Sequence, residues 1–322
     1  MKRVLLTGAT GFVGANLTRR LLQDGHEVHL LVRRGYSAWR IEAIREDVRL
    51  YEVDLGDEQA LTLVVAQIRP DWVFHLAAHG AYSWQTDLQR IVNTNIIGTI
   101  NLVETCMKTG FETFVNTGTS SEYGFKNYAP SEKDWLEPNS YYAVTKSSAT
   151  LYCRYVAKSR NVRLYTLRLY SVYGPYEEPQ RLMPTLVVYG LRGELPPLVN
   201  PDTARDYVYV DDVSEAYLLA ATQSNQELGA VYNVGRGVQI CLREVVQVVR
   251  QVMGIDTEPQ WGSMPNRQWD TNVWVSNNQR ICRELGWQPR YTFEQGFRLM
   301  VNWFHDNPPL LDLYKRCYLT KQ

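Results

Sequence analysis

The feature that most constrains this chain is a glycine-rich loop close to its N-terminus. An apolar segment, Arg3–Thr7, has the length and composition of a buried strand, and Gly8-Ala-Thr-Gly11-Phe-Val-Gly14 follows it directly. Apolar residues then recur at helical spacing up to Asp24-Gly25. A strand, a glycine loop and a helix in this order are typical of a dinucleotide site, because the loop backbone can approach a pyrophosphate that the helix N-terminus stabilises. A merely tight turn between strand and helix is the alternative. The residues expected to contact the cofactor here are Gly8, Thr10, Gly11, Phe12, Val13 and Gly14.

Strand-like and helix-like segments alternate along the first half of the chain. After the first unit, strands are predicted over residues 27–32, 48–53, 71–76, 113–117 and 162–169. Helical segments separate them, and one of these extends over 87–109. This alternation predicts an α/β fold with a Rossmann-type, doubly wound parallel sheet. The length of 322 residues suits one large domain or two closely joined ones.

The sequence changes character after residue 174. Prolines become frequent, and short strand-like segments return only at 206–210 and 230–234, with helices predicted near 211–222, 241–253 and 277–285. We therefore expect a cofactor-binding domain over 1–174, with returns at about 206–235. A smaller, interleaved substrate-binding region is expected over 175–205 and 236–322, with the ligand cleft between the two.

The end of the second predicted strand bears on the type of cofactor. An acidic residue at this position binds the ribose hydroxyls of NAD, but this chain has Arg33 and Arg34. Guanidinium groups bind phosphates bidentately, so the pair favours the 2′-phosphate of NADP(H). NAD(H), with two solvated loop arginines, is the alternative. Asp54 follows the third strand, where a carboxylate can meet the adenine amino group, and the small Ala77 follows the fourth, where a ribose can lie against the backbone. Further cofactor contacts are expected at Leu55, Leu76 and Ala78.

Residues 139–146 contain a tyrosine and a lysine four positions apart. On a helix this spacing places Tyr142 and Lys146 on one face, one turn apart. A nearby ammonium favours the phenolate and lowers the tyrosine pKa from its unperturbed value of about 10, so that the phenol can exchange a proton near neutral pH. The spacing alone is common on ordinary helices, so its weight depends on the surrounding motifs.

Composition excludes several classes of function. Lys plus Arg and Asp plus Glu both total 34, so no net charge attracts nucleic acid or an anionic membrane. A membrane span needs about 18 apolar residues, and no uncharged apolar run approaches that length. The N-terminal sequence has no signal-peptide pattern, so we expect a cytoplasmic protein. The five cysteines are odd in number and never paired as Cys-x-x-Cys. His75 and His79 have no second ligand near them in sequence, so neither a disulfide nor a metal site is predicted.

Together these features resemble the extended short-chain dehydrogenases/reductases of the nucleotide-sugar epimerase/dehydratase/reductase group, over nearly the whole chain. Gly8, Gly11 and Gly14 match the glycine fingerprint of that family. The segments 75–78 and 95–99 match two cofactor-side motifs, 142–146 matches the catalytic Tyr-x-x-x-Lys, and 205–212 is similar to a diphosphate-binding segment.

The resemblance implies a role for each matching residue. Tyr142 would exchange a proton with the C4 oxygen of a sugar while a hydride moves between C4 and the nicotinamide. Lys146 would lower the tyrosine pKa and bind the nicotinamide ribose, and Thr119 would hydrogen-bond the same sugar oxygen. Implied cofactor contacts are Asn95, Thr117 and Tyr170, and implied substrate contacts are His79, Ser120, Ser171, Arg181, Arg205 and Arg267, whose arginines would neutralise the nucleotide diphosphate.

Departures from the family pattern discriminate among its activities. The 4,6-dehydratases of this group follow the catalytic Thr with an acidic pair or Ser-Glu, whereas Ser120-Ser121 follow Thr119 here and Glu122 comes one place late. Dehydratase activity is therefore disfavoured. Ser171 stands where many members have an Asn after the sixth strand, which puts that substrate hydrogen bond in doubt.

The leading hypothesis is an NADP(H)-dependent reduction of a nucleotide-linked 4-keto(-6-deoxy)hexose at C4. The C-terminal half is similar to CDP-hexulose reductases of the abequose-synthase type. The alternatives are a nucleotide-sugar C4-epimerase that recycles its cofactor and a non-catalytic NADP-binding sensor or scaffold. Members of the family commonly dimerise through the Tyr-x-x-x-Lys helix, so a homodimer is expected, with apolar area from Ala149, Leu151, Tyr152, Tyr155 and Val156.

Overall fold

The computed structural model describes residues 1–224, 226–265 and 271–319. The strands, in chain order, are Arg3–Thr7 (β1), Glu27–Val32 (β2), Arg49–Glu52 (β3), Trp72–His75 (β4), Thr113–Thr119 (β5), Leu164–Leu169 (β6), Ser171–Tyr173 (β7), Ala204–Arg205 (β8), Tyr207–Tyr209 (β9), Val231–Val234 (β10) and Ile240–Cys241 (β11). The α-helices are Phe12–Gln23 (α1), Glu58–Ile68 (α2), Leu88–Val92 (α3), Gly98–Thr109 (α4), Tyr141–Arg160 (α5), Leu182–Gly190 (α6), Val210–Thr222 (α7), Leu242–Met253 (α8), Gln279–Leu285 (α9), Phe293–Asp306 (α10) and Pro308–Leu319 (α11).

Seven parallel strands form the central sheet, in the order β10-β6-β5-β4-β1-β2-β3. The chain builds the sheet in one direction from β1 through β3, then returns to the other side of β1 and builds outward from β4 to β10. The predicted Rossmann-type, doubly wound sheet is therefore confirmed. The order reverses between β1 and β4, and the carboxyl ends of strands at such a switch point border the crevice in which α/β proteins bind ligands.

The strands are apolar without interruption because helices cover both faces of the sheet. Consecutive side chains of β1 point to opposite faces, so that Val4 and Leu6 belong to one hydrophobic core and Leu5 to another. The first core also contains Leu17 of α1 and Tyr217 of α7, and the second contains residues of α2, α4 and α5. The glycine loop and α5 are thereby packed against the same rigid sheet.

A third hydrophobic core lies in the C-terminal part of the chain and is built largely from α6, α8, α10 and α11. The helices α6, α10 and α11 were not predicted from the sequence. Prolines obscured two of them, since Pro184 lies in the first turn of α6 and Pro308 begins α11, positions where proline costs little.

One predicted helix and one predicted strand differ from the structure. The helical region expected over 87–109 is interrupted, because a π-helical turn over Asn93–Ile97 joins α3 to α4. The strand predicted at 206–210 lies outside the central sheet, since Tyr207–Tyr209 pairs with Ser171–Tyr173 in a two-stranded sheet, whereas β10 joins the central sheet beside β6. Within the described ranges, no helix is long and apolar enough to cross a membrane.

Candidate active site

The glycine loop is folded tightly between the end of β4 and the start of α1. A Cβ on Gly8, whose φ is +77°, would lie 2.5 Å from the carbonyl carbon of Leu76, and one on Gly14 would lie 2.2 Å from the carbonyl oxygen of Gly8. Gly11 begins α1 without a side-chain cap, so backbone amides at the helix N-terminus stay available to a ligand. The loop therefore fits a dinucleotide pyrophosphate.

Arg33 and Arg34 lie immediately after β2, the strand next to β1, and both are exposed. Neither forms an ion pair with any residue that the structure describes. Their guanidinium groups are thus available to a phosphate at the adenosine end of the crevice. Asp54, also exposed, accepts a hydrogen bond from the backbone amide of Gly56 at 2.8 Å.

Arg40 is a cationic residue near the loop that sequence reasoning missed. It is only 6% exposed, donates to the backbone carbonyls of Thr10 and Tyr176, and forms a 2.9 Å ion pair with Glu178. Arg40 thereby fixes the cofactor loop to the segment that follows β7. No local sequence pattern marked it, because its partners come from distant parts of the chain.

Tyr142 and Thr119 meet at the carboxyl end of β5. Ser140 caps α5 by accepting a hydrogen bond from Ala143, which sets Tyr142 in the first turn of the helix. The Thr119 hydroxyl lies near the Tyr142 phenol and acts on its ionisation. Burial raises the pKa of Tyr142 to about 12, and Thr119 acts in the opposite direction.

Loss of water around the phenol is the largest influence on the pKa of Tyr142. That Lys146 lowers this pKa stays a prediction. Lys146 itself is 1% exposed, and burial lowers its own pKa while the Glu122 carboxylate raises it.

The Lys146 ammonium has no hydrogen-bond acceptor among the residues that the structure describes. A buried ammonium without an acceptor is costly, so the site favours a ligand that supplies oxygen atoms. The hydroxyls of a nicotinamide ribose have this chemistry. The glycine cradle and the unpaired ammonium together therefore fit a nicotinamide dinucleotide.

Glu122 points into the protein interior and away from the crevice. Its carboxylate is fully buried, 2.8 Å from Nε of Arg168, and it accepts hydrogen bonds from the Thr119 amide and the Thr150 hydroxyl. It therefore does not take the place of the acidic residues that dehydratases of this group use. The following residue, Tyr123, donates to Asn233 and accepts from Arg168.

Asn95, in the π-helical turn, uses its amide group on the protein. It accepts from the amide of His79 at 2.9 Å and donates to the His79 carbonyl and the Thr145 hydroxyl at 2.8 and 2.9 Å. Asn95 thus joins the loop after β4 to α5. His75 lies between the hydroxyls of Thr7 and Thr99, and burial lowers its pKa to about 3, so the imidazole is neutral and structural.

Other predicted cofactor and substrate residues surround the same strand ends. Thr117 contacts the Tyr217 phenol, which lies near enough to Tyr142 for Tyr142 to raise the pKa of Tyr217. Tyr170 has a buried hydroxyl with no hydrogen-bond partner in the described part of the chain. Together with Ser120 it lines a cleft that Trp274 also borders.

Arg205 lies beside Trp274, since its guanidinium is 5.4 Å from the centre of the Trp274 ring, and it donates to the carbonyl of Ala204. Ser171 pairs with Tyr207 at the start of β7. Arg267 lies outside the described residues. No group of three or more side chains suited to a metal ion occurs in the described ranges.

Three residues near Tyr142 complete the reacting end of the crevice. Tyr82 and Arg181 both act on the ionisation of Tyr142, Tyr82 raising its pKa and Arg181 lowering it. Arg181 therefore lies within electrostatic reach of Tyr142, and its Nε is 3.8 Å from the buried Glu177 carboxylate. Burial raises the pKa of Glu177 to about 8. Tyr82 stacks on Trp84 with ring centres 4.7 Å apart, and neither Tyr82 nor Glu177 was predicted.

Comparison with known proteins identifies relatives along the chain. Residues 4–235 match the model of the NAD dependent epimerase/dehydratase family. The chain is 29% identical to UDP-glucose 4-epimerase of Mycolicibacterium smegmatis, over 94% of this chain and 99% of that protein. It is 25% identical to the trifunctional UDP-glucose 4,6-dehydratase/UDP-4-keto-6-deoxy-D-glucose 3,5-epimerase/UDP-4-keto-L-rhamnose-reductase RHM1 of Arabidopsis thaliana, of which it spans 47%.

Solved structures with the same fold include UDP-glucose 4-epimerase of Thermotoga maritima with UDP-glucose, at a TM-score of 0.85 and 27% identity, over 95% of this chain and 99% of the other. The UDP-glucose 4-epimerase of Thermus thermophilus in complex with NAD has a TM-score of 0.82 and 29% identity, over 94% and 98% of the two chains.

Proposed function

Because the chain belongs to the NAD dependent epimerase/dehydratase family of extended short-chain dehydrogenases/reductases, we propose that it reduces a nucleotide-linked 4-keto(-6-deoxy)hexose at C4 with NADP(H). The enzyme class follows from the family, whereas the direction of the reaction, the cofactor and the substrate are the proposal. In this proposal, residues 1–174 and about 206–235 bind the cofactor. Residues 175–205 and 236–322, which contribute to a separate hydrophobic core, bind the nucleotide sugar.

The observation that carries the proposal is Tyr142 beside Thr119 at the end of β5, in a chain whose β2 is followed by two exposed arginines. Burial raises the pKa of Tyr142, so the phenol keeps its proton near neutral pH and can serve as the acid of a ketone reduction. The arginines favour NADP(H), the cofactor that a net reduction consumes, whereas an epimerase recycles its cofactor.

The reaction divides among three residues. Thr119 holds the C4 oxygen by a hydrogen bond, and Tyr142 donates its proton to that oxygen. NADPH, when bound, supplies the hydride to C4. Lys146 donates to the nicotinamide ribose hydroxyls, and its positive charge stabilises the phenolate that remains on Tyr142. The product is the C4 alcohol, and solvent returns the proton to Tyr142.

The two arginines after β2 support NADPH over NADH. Both guanidinium groups are exposed and unpaired within the described part of the chain, at the position where an acidic residue would repel a 2′-phosphate. The relative from Thermus thermophilus was solved with NAD, so NADH is the competing cofactor in every assay.

A C4-epimerase that recycles its cofactor is the second candidate, and the names of the Mycolicibacterium and Thermotoga relatives favour it. One experiment separates the two activities. Purified protein is incubated with a panel of nucleotide 4-keto-6-deoxyhexoses and NADPH or NADH, and oxidation is followed at the nicotinamide absorbance. Stoichiometric oxidation of NADPH supports the proposal. Interconversion of C4 epimers without net oxidation overturns it in favour of the epimerase.

A non-catalytic NADP-binding protein would bind NADPH but turn over none of these substrates. The Tyr142→Phe variant provides the control, because a sensor or scaffold function would survive the loss of this hydroxyl. Either enzyme would lose its activity with the proton donor.

We also propose that the protein is a homodimer through α5. Four apolar side chains on this helix are exposed, namely Tyr141 (64%), Val144 (46%), Leu151 (56%) and Tyr155 (69%). Ala149 and Val156, expected from the sequence to supply dimer contacts, are buried within the protomer. Leu151→Glu/Tyr155→Glu should shift the mass measured by light scattering from dimer to monomer, whereas a wild-type monomer would contradict the proposal.

A further inference from the structure

Glu122 connects the two elements that carry the catalytic residues. Its Oε1 accepts one hydrogen bond from the backbone amide of Thr119, at 2.9 Å, and another from the hydroxyl of Thr150, at 3.1 Å. Thr119 ends β5, and Thr150 lies on α5. Residues 142, 146 and 150 follow one another at four-residue spacing, so they share one face of the helix. A single carboxylate oxygen therefore holds the end of β5 against the helix face that carries the proton donor.

The structure compensates this buried negative charge. The side chains of Glu122 and Arg168 are 0% and 4% exposed, and Nε of Arg168 lies 2.8 Å from Oε2 of Glu122. Arg168 also donates to the Tyr123 hydroxyl at 2.8 Å, which holds the guanidinium in place. At Gly118 a Cβ would lie 2.7 Å from Oε1 of Glu122. The end of β5 therefore has room for the carboxylate only because a glycine precedes Thr119.

The same carboxylate acts on Lys146. Burial lowers the pKa of Lys146, and the negative charge of Glu122 is the main influence that raises it, followed by the Cys153 thiol on α5. The Lys146 charge also acts on His75 of β4, whose pKa it lowers. Glu122 also raises the pKa of Tyr142. Its charge thus favours the protonated forms of both Tyr142 and Lys146.

We propose that Glu122 is a positioning residue of the reductase: its carboxylate sets the distance between Thr119 and the Tyr142 face of α5, and it supplies a fixed negative charge behind Lys146. This inference rests on the proposed function. The length of the Glu122 side chain and its negative charge have separate effects, and different substitutions remove each of them. Glu122→Gln keeps the length and loses the charge, whereas Glu122→Asp keeps the charge and shortens the reach.

The test compares the pH dependence of kcat for these two variants. Without the charge, Lys146 and Tyr142 lose their protons more easily, so the alkaline limb of the Glu122→Gln profile should move to lower pH by about one unit or more. For Glu122→Asp we expect kcat to fall about 10-fold or more with the alkaline limb unmoved. Thr150→Val removes one hydrogen bond and no charge, and it should lower kcat slightly without moving the limb.

A merely structural role predicts a different pattern. All three variants would then lose thermal stability in proportion to their lost activity, and every alkaline limb would coincide with that of the wild type. That result overturns the proposal.

Glu122→Gln leaves the Arg168 guanidinium buried without its partner. The double variant Glu122→Gln/Arg168→Gln removes both charges, so that neither is left unpaired. Arg168 is not among the groups that act on Lys146, so the double variant should show the same shift of the limb. An unshifted limb in a folded double variant also overturns the proposal.

A second measurement needs no sugar substrate. NADPH binding, followed by nicotinamide fluorescence against pH, depends on the charge of Lys146, and its alkaline midpoint should shift in Glu122→Gln as the kcat limb does. If no 4-keto sugar is reduced, the proposed function fails, while this binding midpoint still supports or overturns the role of Glu122.

Discussion

The hydroxyl of Thr119 lies close enough to the phenol of Tyr142 to lower its pKa, although Tyr142 lies in the first turn of α5 and Thr119 ends β5. The two residues are 23 positions apart in sequence, and the packing of α5 against the end of β5 brings them together. The first prediction concerns this pair.

Tyr142→Phe should lower kcat by about 10³-fold, because a positioned acid typically contributes 10²- to 10⁴-fold. NADPH binding should remain, since the phenol is not needed to hold the pyrophosphate. Tyr141→Phe is the matched control, because Tyr141 is the neighbouring tyrosine of the same helical turn and is exposed. Steady-state kinetics with a reducible 4-keto sugar measure both variants. Equal activity in the two would contradict the assignment of Tyr142.

The second prediction concerns the cofactor. Arg33→Ala/Arg34→Ala should raise the KM for NADPH by about 10-fold or more while leaving the KM for NADH nearly unchanged, because only NADPH has the 2′-phosphate that bidentate guanidinium groups bind. Arg45→Ala removes another exposed arginine and should change neither value. If the double variant weakened both cofactors alike, or neither, the two arginines would not determine cofactor choice.

Asn95 leads to a third prediction, about the link between α5 and the loop after β4. Asn95→Ala removes three hydrogen bonds inside the protein and should lower the free energy of unfolding by about 2–3 kcal/mol. Thr145→Val, which loses the bond to Asn95 and the one to the Tyr142 carbonyl, should cost less, since the His79 contacts remain. Urea unfolding measures both. A smaller effect in Asn95→Ala than in Thr145→Val would rule out this role for the π-helical turn.

Glu177 leads to a prediction about the pH dependence of stability. Its pKa is raised by burial from 4.5 to about 8 in the folded protein. Between about pH 4.5 and about pH 8, the unfolded chain has released this proton while the folded protein still keeps it. This group therefore makes folding less favourable as pH rises through that window. Glu177→Gln removes the penalty and should raise the free energy of unfolding by a few kcal/mol more at pH 8 than at pH 5.

The matched control for Glu177 is the next residue. Glu178 is ion-paired with Arg40 at 2.9 Å, so Glu178→Gln leaves a largely buried guanidinium without its partner and should destabilise the protein. Urea unfolding of both variants at the two pH values measures the difference. If Glu177→Gln and Glu178→Gln changed the free energy of unfolding in the same way at both pH values, the burial assigned to Glu177 would be contradicted.

The fold and the spacing of the proposed catalytic residues could be predicted because their signals are local. Gly8, Gly11 and Gly14 follow a strand at fixed spacing, and Tyr142 and Lys146 lie one helical turn apart, so the sequence alone contains their geometry. The role proposed for Thr119 came from the family resemblance. These patterns do not depend on how distant segments pack.

Properties that depend on the packing of distant segments could not be predicted from the sequence. The ionisation of Tyr142 follows from the water that surrounding elements exclude, which no spacing of Tyr and Lys reveals. Arg40 and Glu178 pair across 138 residues of sequence. In α10, Gly296 weakened the helical pattern. A Cβ there would lie 2.2 Å from the Tyr173 hydroxyl, so the glycine is required by a neighbour that the sequence does not identify.

The π-helical turn over Asn93–Ile97 has a consequence for how this chain can diverge. A π-turn contains one residue more than an α-helix needs, and an α-helix has 3.6 residues per turn. Deleting one residue there would allow a regular α-helix to run through and would remove the bulge from which Asn95 projects. The hydrogen bonds of Asn95 to His79 and Thr145 would then be lost. The length of this turn is therefore as constrained as the identity of Asn95, because both are needed to join the loop after β4 to the helix that bears Tyr142.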